Sequence, residues 1–187
     1  MKKFTDLIEI WKSIVFQTNR GRWAKVAVSG MPSWDSRNRI IGTYILPGSS
    51  VIDLGCGAQT LKKHIATDCI YQPCDLIKST PDVIVCDFNK GDYPNVGKKF
   101  DYVVCSGVLE YIRDSKMFLK KIWSLGDTVI LSYNPRILGV SVISRMTNNW
   151  INHYSRSELE ALFVELGVNW YLKNKSQNEE LIYLLKK

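Results

Sequence analysis

Residues 51–57 read Val51-Ile52-Asp53-Leu54-Gly55-Cys56-Gly57. Apolar residues around a single acid make a buried strand, and Gly55 and Gly57 make the turn that follows it. Glycine suits that turn because the chain must bend sharply and because a ligand can then approach the main chain. Beyond it, Leu61 to Ile65 is predicted to lie in a helix, and Cys69 to Cys74 to form a second strand ending at Asp75. Asp75 stands 22 positions beyond Asp53. An acid at the tip of the second strand is placed to accept hydrogen bonds from ribose hydroxyls. A lone Gly-x-Gly says little. The order strand, glycine turn, helix, strand, acid describes the nucleotide-binding half of an open α/β sheet.

The alternation continues downstream. Val83 to Cys86 is a strand ending at Asp87, Phe100 to Cys105 one ending at Ser106-Gly107, and Thr128 to Tyr133 one ending at Asn134. Before the last of these, Asp114 can cap a helix that buries Phe118, Leu119, Ile122 and Trp123. Ser155 and Ser157 each open a Ser-x-x-Glu capping box ahead of Leu159, Leu162, Phe163 and Leu166, and Gly167 is the natural stop. Val168 to Leu172 and Leu181 to Leu185 are β-like runs joined by a polar turn. This pattern predicts a Rossmann-like α/β fold: a mainly parallel seven-stranded sheet with a terminal antiparallel hairpin and helices on both faces. Such sheets bind ligands at the carboxyl ends of their strands. Asp75, Asp87, Ser106 and Asn134 would share that edge.

Upstream, Phe4, Leu7, Ile8, Trp11, Ile14 and Val15 are set at helical spacing over residues 4–16. Residues 17–34 read as loop, and Trp34 to Leu46 as a helix that stops at Pro47-Gly48. The 187 residues fit one domain, with 1–46 a helical cap and 47–187 the core. Hydrophobic residues make up 45% and charged residues 23%, which supplies a core and argues against disorder. No apolar run approaches the ~20 residues needed to span a bilayer. Asp6 and Glu9 interrupt what would be a signal peptide's apolar stretch, so a cytoplasmic location is expected. The five cysteines occur singly, with no Cys-x-x-Cys pair and only two histidines, so buried thiols and no metal site are expected. The net charge of +7 is uneven: residues 1–46 hold eight Lys/Arg against three acids, and residues 133–157 hold Arg136, Arg145 and Arg156 with no acid. Two basic segments around a near-neutral middle suit a phosphate-bearing ligand, a nucleic acid or an anionic membrane surface.

Taken together, these motifs resemble the class I S-adenosylmethionine-dependent methyltransferases over residues 34–187. Val51 to Gly57 is similar to the family's first motif, Cys86-Asp87-Phe88 to its adenine site, and Phe100 to Tyr111 to its fourth-strand motif. The resemblance implies S-adenosyl-L-methionine as cofactor, bound by Asp53, Gly55, Cys56, Gly57, Gln59, Asp75, Leu76, Asp87, Phe88, Ser106 and Gly107. Trp34 and Arg37 would cover it, and Arg37 could pair the cofactor's carboxylate. Two positions depart from the pattern: Gln59 stands where a third glycine is frequent, and Tyr111 where many relatives carry histidine.

A sulfonium methyl is already activated, so a methyltransferase aligns a nucleophile and excludes water. An oxygen nucleophile also benefits from a base. His153 and Tyr111 are the expected catalytic residues. Asn134, Arg136, Arg145, Trp150 and Tyr154 are the expected acceptor-binding residues, amides and aromatics suiting a sugar and arginines a phosphate. The chain is also similar to small methyltransferases of bacterial surface-polysaccharide pathways, most of all over 34–87 and 149–163. That implies O-methylation of a saccharide or its phosphorylated precursor; separately, the amphipathic first helix leaves peripheral membrane contact open. Two alternatives stay open. One is a methyltransferase of RNA or another small molecule, although Ser106-Gly107-Val108-Leu109 replaces the Asn/Asp-Pro-Pro-Tyr/Phe tetrad of amino-methylating relatives. The other is a non-catalytic cofactor-binding or scaffold subunit that serves a partner.

Overall fold

The computed structural model describes residues 32–139, 141–146, 148–175 and 180–186. The helix expected over 4–16, and most of the loop expected after it, lie outside the described residues. Helix α1 (Pro32–Gly42) precedes strands β1 (Ser50–Leu54), β2 (Ile70–Asp75), β3 (Ile84–Val85) and β4 (Phe100–Ser106). Helix α2 (Ser115–Ser124), β5 (Gly126–Tyr133), the short α3 (Val142–Met146), α4 (Arg156–Glu165), β6 (Asn169–Lys175) and β7 (Leu181–Lys186) follow. One seven-stranded sheet runs β3-β2-β1-β4-β5-β7-β6. The strands β1 to β5 are parallel, and β7 is antiparallel to both of its neighbours. The chain moves outward from β1 to β3, then returns to the other side of β1 as β4. That reversal opens a crevice at the carboxyl ends of β1 and β4.

The central strands carry unbroken apolar runs because both faces are covered. On one face, Phe118, Leu119 and Ile122 of α2 with Leu159 and Phe163 of α4 pack on Ile52, Val103, Val129, Leu131 and Tyr183. On the other, Ile41, Ile45 and Leu61 pack on Val51, Val104, Ile130 and Ile182. Asp114 caps α2 by accepting from the Met117 amide at 2.8 Å. Of the two possible boxes before α4, Ser155 makes the real one: its hydroxyl accepts from Glu158 N–H, and its own amide donates to the Glu158 carboxylate at 2.7 Å. Gly167 ends the turn with φ 66°.

Two of the expected helices differ in extent, and β3 (Ile84–Val85) is shorter than the Val83–Cys86 run. The segment expected as a helix over Leu61–Ile65 is a single 3-10 turn, Thr60–Lys63, entered through Gln59 at φ 55°. Helix α1 lies directly against it: Asn38 Nδ2 donates to Thr60 Oγ1 at 2.5 Å, and a Cβ at Gly42 would stand 2.3 Å from the His64 carbonyl oxygen. So α1 fills the layer that a longer helix would have occupied. It also ends at Gly42 rather than running to Leu46, closing through tight turns at Thr43, Tyr44 and Ile45. Among the described residues, no helix is long and apolar enough to cross a membrane.

Candidate functional site

A cavity of about 1130 Å³, counting the space at its open mouth, lies along the carboxyl ends of β1 to β5. Each strand tip contributes to its wall: Gly55 and Gly57, Asp75 and Leu76, Asp87 and Phe88, Ser106 and Gly107, and Asn134. Trp34 and Arg37 of α1 line it too, as do Glu110, Tyr111 and Trp150.

The glycine turn is tied to β2. The amides of Gly55 and Cys56 both donate to the Cys74 carbonyl, at 2.7 and 3.1 Å. Gly57 N–H donates to Asp75 Oδ2 at 2.8 Å, and Ile77 N–H to Oδ1 at 3.0 Å. The carboxylate is thus pinned, and each oxygen keeps accepting capacity for a ligand. Burial raises the Asp75 carboxyl above its ordinary range, against the pull of the Gly57, Ile77 and Leu76 amides. Gly55 sits at φ 74°, and a Cβ there would stand 2.3 Å from Val108 Cγ2.

Asp53 lies behind this turn, 2% exposed, and accepts from the Tyr71 hydroxyl at 2.6 Å. Burial pushes its carboxyl up to about 7, outweighing the Tyr71 bond, with Asp75 adding to the rise. The folded chain therefore holds a proton that the unfolded chain has lost. The penalty for the buried carboxylate grows as pH rises from the ordinary carboxyl range to about 7, and is constant above that. Asp53→Asn is neutral throughout. Its stability relative to wild type is expected to improve between about pH 5 and about pH 7 in urea unfolding, and a flat difference would place the Asp53 titration elsewhere.

A buried polar network fixes the tip of β4. Arg37 Nη1 pairs with Glu180 Oε1 at 2.8 Å, and Nη2 donates to the Ser106 carbonyl at 3.2 Å. Ser132 Oγ donates to Glu180 Oε1 at 2.7 Å and accepts from Gly107 N–H at 2.8 Å. Ser106 Oγ donates to Asn38 Oδ1 at 2.8 Å. A Cβ at Gly107 would meet Arg37 Nη1 at 2.6 Å, so glycine lets the guanidinium pass. Arg37 does line the cavity, but its charge is already met by Glu180.

At the other end, Glu110 is fully buried. Its Oε1 accepts from the Asn134 amide at 2.8 Å and from Asn134 Nδ2 at 3.0 Å. Burial, then the nearby Glu180 charge, raises its carboxyl above the usual range. Trp150 Nε1 donates to the Tyr111 hydroxyl at 3.1 Å. A second cavity of about 520 Å³, again counting the open space at its mouth, shares Asn134 and Trp150 with the first and adds Pro135, Ile137, Ser144, Arg145 and Asn148. Arg145 is 4% exposed. It donates to the Pro135 and Asn134 carbonyls at 2.9 and 2.6 Å and to His153 Nδ1 at 3.3 Å, and lies 4.5 Å from the Trp150 ring centroid. Burial, then the charges of Arg145 and Arg136, lowers the His153 pKa.

The cavity brings together Trp34, Arg37, Gly55, Gly57, Asp75, Leu76, Asp87, Phe88, Ser106, Gly107, Tyr111, Asn134 and Trp150. It does not bring in the other expected residues. Asp53 and Cys56 sit behind the glycine turn, and Gln59 turns outward, donating to Thr80 Oγ1 at 2.7 Å. Arg136 leaves for Glu158 at 3.3 Å. Tyr154 packs on Tyr133. His153 and Arg145 stand outside the first cavity, Arg145 in the wall of the second. Sequence reading missed Glu110, Glu180 and Asn89, whose side chain holds the Tyr111 carbonyl at 2.8 Å. The one available signal was Glu110 between Leu109 and Tyr111, an acid inside an apolar run. Burial raises the thiols of Cys56, Cys74, Cys86 and Cys105, so none is an activated nucleophile.

Solved structures with the same fold include a Nostoc punctiforme PCC 73102 protein described as an O-methyltransferase: 15% identity, TM-score 0.68, covering 88% of this chain. The chain spans 60% of that protein's length. Magnesium protoporphyrin IX methyltransferase from Synechocystis PCC 6803, solved with bound S-adenosylhomocysteine, is 16% identical with TM-score 0.65, covering 94% of this chain and 99% of that one. A Haloferax volcanii methyltransferase solved with the activator Trm112 is 14% identical with TM-score 0.64, covering 95% and 96%. No curated protein matches the chain in sequence. Residues 36–139 match the family described as methionine biosynthesis protein MetW. That stretch is more than half of the chain and carries β1 to β5 with most of the cavity wall, and the chain belongs to the MetW family.

Proposed function

We propose that the chain binds S-adenosyl-L-methionine along the carboxyl edge of its sheet and transfers the methyl group to a small acceptor. The observation that carries this reading is the pinned Asp75 carboxylate at the tip of β2, beside a glycine turn with no side chain to fill the cavity. The residues present fit the cofactor. Asp75 would accept from the ribose hydroxyls, Asp87 and Phe88 would hold the adenine, and the Gly55–Gly57 main chain would lie along the remainder. Trp34 and Arg37 would cover it. When bound, the sulfonium supplies a methyl that needs no further activation. The chain's own part is to align the nucleophile and exclude water. Tyr111, Asn134 and Trp150 would receive the acceptor. Amide and aromatic groups suit a saccharide hydroxyl, and a saccharide or its phosphorylated precursor is the proposed class.

Calorimetric titration with S-adenosylmethionine and S-adenosylhomocysteine tests the reading. Asp75→Ala is expected to weaken binding by about 1.5–3 kcal/mol, the value of a hydrogen bond to a charged group. Unchanged affinity in a folded variant would remove the ribose assignment, and no binding by the wild type would remove the cofactor. A second reading draws on the family's description as a biosynthesis protein and on the Haloferax neighbour's activator. In it, the chain binds the cofactor but acts only with a partner. Methyl transfer by the isolated chain would exclude it.

A further inference from the structure

We infer that the second carboxylate oxygen of Glu110, Oε2, receives a hydrogen bond from the methyl acceptor, so that the acceptor's nucleophile is a neutral hydroxyl or an amine and not a carboxylate or phosphate oxygen. The inference rests on the S-adenosylmethionine reading above. Glu110 belongs to the cavity wall and is fully buried. Both Asn134 donors go to Oε1, and Oε2 is buried with no hydrogen-bond partner. A buried acceptor without a donor calls for an explanation, and a ligand that brings the donor supplies one. The group is also rigidly placed: the Glu110 carbonyl accepts from Ile151 N–H at 2.8 Å.

Its position fits the acceptor. Asp75 and Asp87 stand at the tips of β2 and β3, whereas Glu110 bonds Asn134 at the tip of β5, across the strand reversal. The second cavity opens from the same Asn134 and Trp150. The cations near that end are committed: Arg37 to Glu180 and Ser106, and Arg145 to two carbonyls, His153 and Trp150. An ionised carboxylate or phosphate oxygen brings no proton for Oε2 and would set a like charge beside the Glu110 carboxylate. A hydroxyl brings the donor that Oε2 lacks. As the new O–C bond forms, the hydroxyl proton passes to Glu110 Oε2, and the S–C bond breaks with its electron pair left on sulfur. The carboxylic acid then yields its proton to water once the product leaves.

Sinefungin is the probe, because it carries an amine-bearing carbon where the cofactor carries its methyl-bearing sulfur. S-adenosylhomocysteine has neither group. Calorimetry on the full chain is expected to show sinefungin binding about tenfold or more tighter than S-adenosylhomocysteine, as a charge-assisted hydrogen bond gives. Equal affinities overturn the inference, whereas binding of neither ligand overturns the cofactor reading instead. Glu110→Gln keeps an oxygen for Asn134 but presents N–H groups at the Oε2 position. It should abolish the preference and leave S-adenosylhomocysteine affinity unchanged; a preference that persists in the folded variant overturns the inference. Should that variant not fold, Glu110→Asp withdraws the carboxylate by one methylene and should shrink the preference by about threefold or more. An unshrunken preference there counts equally against Glu110.

Discussion

Arg37→Met is expected to lower the free energy of unfolding by about 3–5 kcal/mol, the loss that follows when one member of a buried ion pair is removed. The side chains of Arg37 and Glu180 are 9% and 7% exposed. Methionine fills much of the volume, so the loss comes from charge. Glu180 would keep its bond from Ser132 but lose its cation, with the Glu110 carboxylate nearby. The Ser106 carbonyl would lose a donor as well. Replacing both partners, as in Arg37→Met with Glu180→Met, should recover most of the loss, because no unpaired charge is left behind. Urea unfolding of the two single variants and the double variant checks this. A single-variant loss below about 1 kcal/mol would mean that the pair behaves as a solvated one.

Phe163→Ala is expected to be as severe, at about 3–5 kcal/mol, through transfer free energy and the cavity left behind. Phe163 is fully buried on α4, with its ring centroid 5.3 Å from that of Tyr183 edge-on and 5.9 Å from that of Trp170. It joins α4 to β7 and β6. No residue of α4 lines the main cavity. The variant should therefore keep its S-adenosylhomocysteine affinity while its thermal midpoint drops. A loss below about 1.5 kcal/mol would mean that α4 closes into the gap.

The strand tips were legible because each carries its own local signal: an apolar run followed by Gly, Asp or Asn. The Asp114 and Ser155 caps were legible for the same reason, since capping is settled within three residues. The missing helix over Leu61–Ile65 was not, because what replaces it is α1, packed back from the other side of β1. Arg37 lines the cavity, but Glu180 sits beyond a polar turn with nothing local to mark it as the counter-ion. Arg136 and Arg145 looked like phosphate ligands in a segment with no acid. The structure gives Arg136 to Glu158 and Arg145 to main-chain carbonyls. Composition counts charges, and it does not tell which are already used.

The Arg37–Glu180 pair joins residues 143 positions apart, and the cavity wall draws on nearly every crossover between them. Contacts of such long sequence separation form late in folding, since loop closure must precede them. Releasing β7 would uncouple Glu180 from Arg37 and loosen the turn at Gly107. Ligand affinity then reports on the cooperativity of the entire sheet. A ligand that binds only the closed wall would suppress partial openings at both of its ends at once, slowing amide exchange in α1 and β7 together.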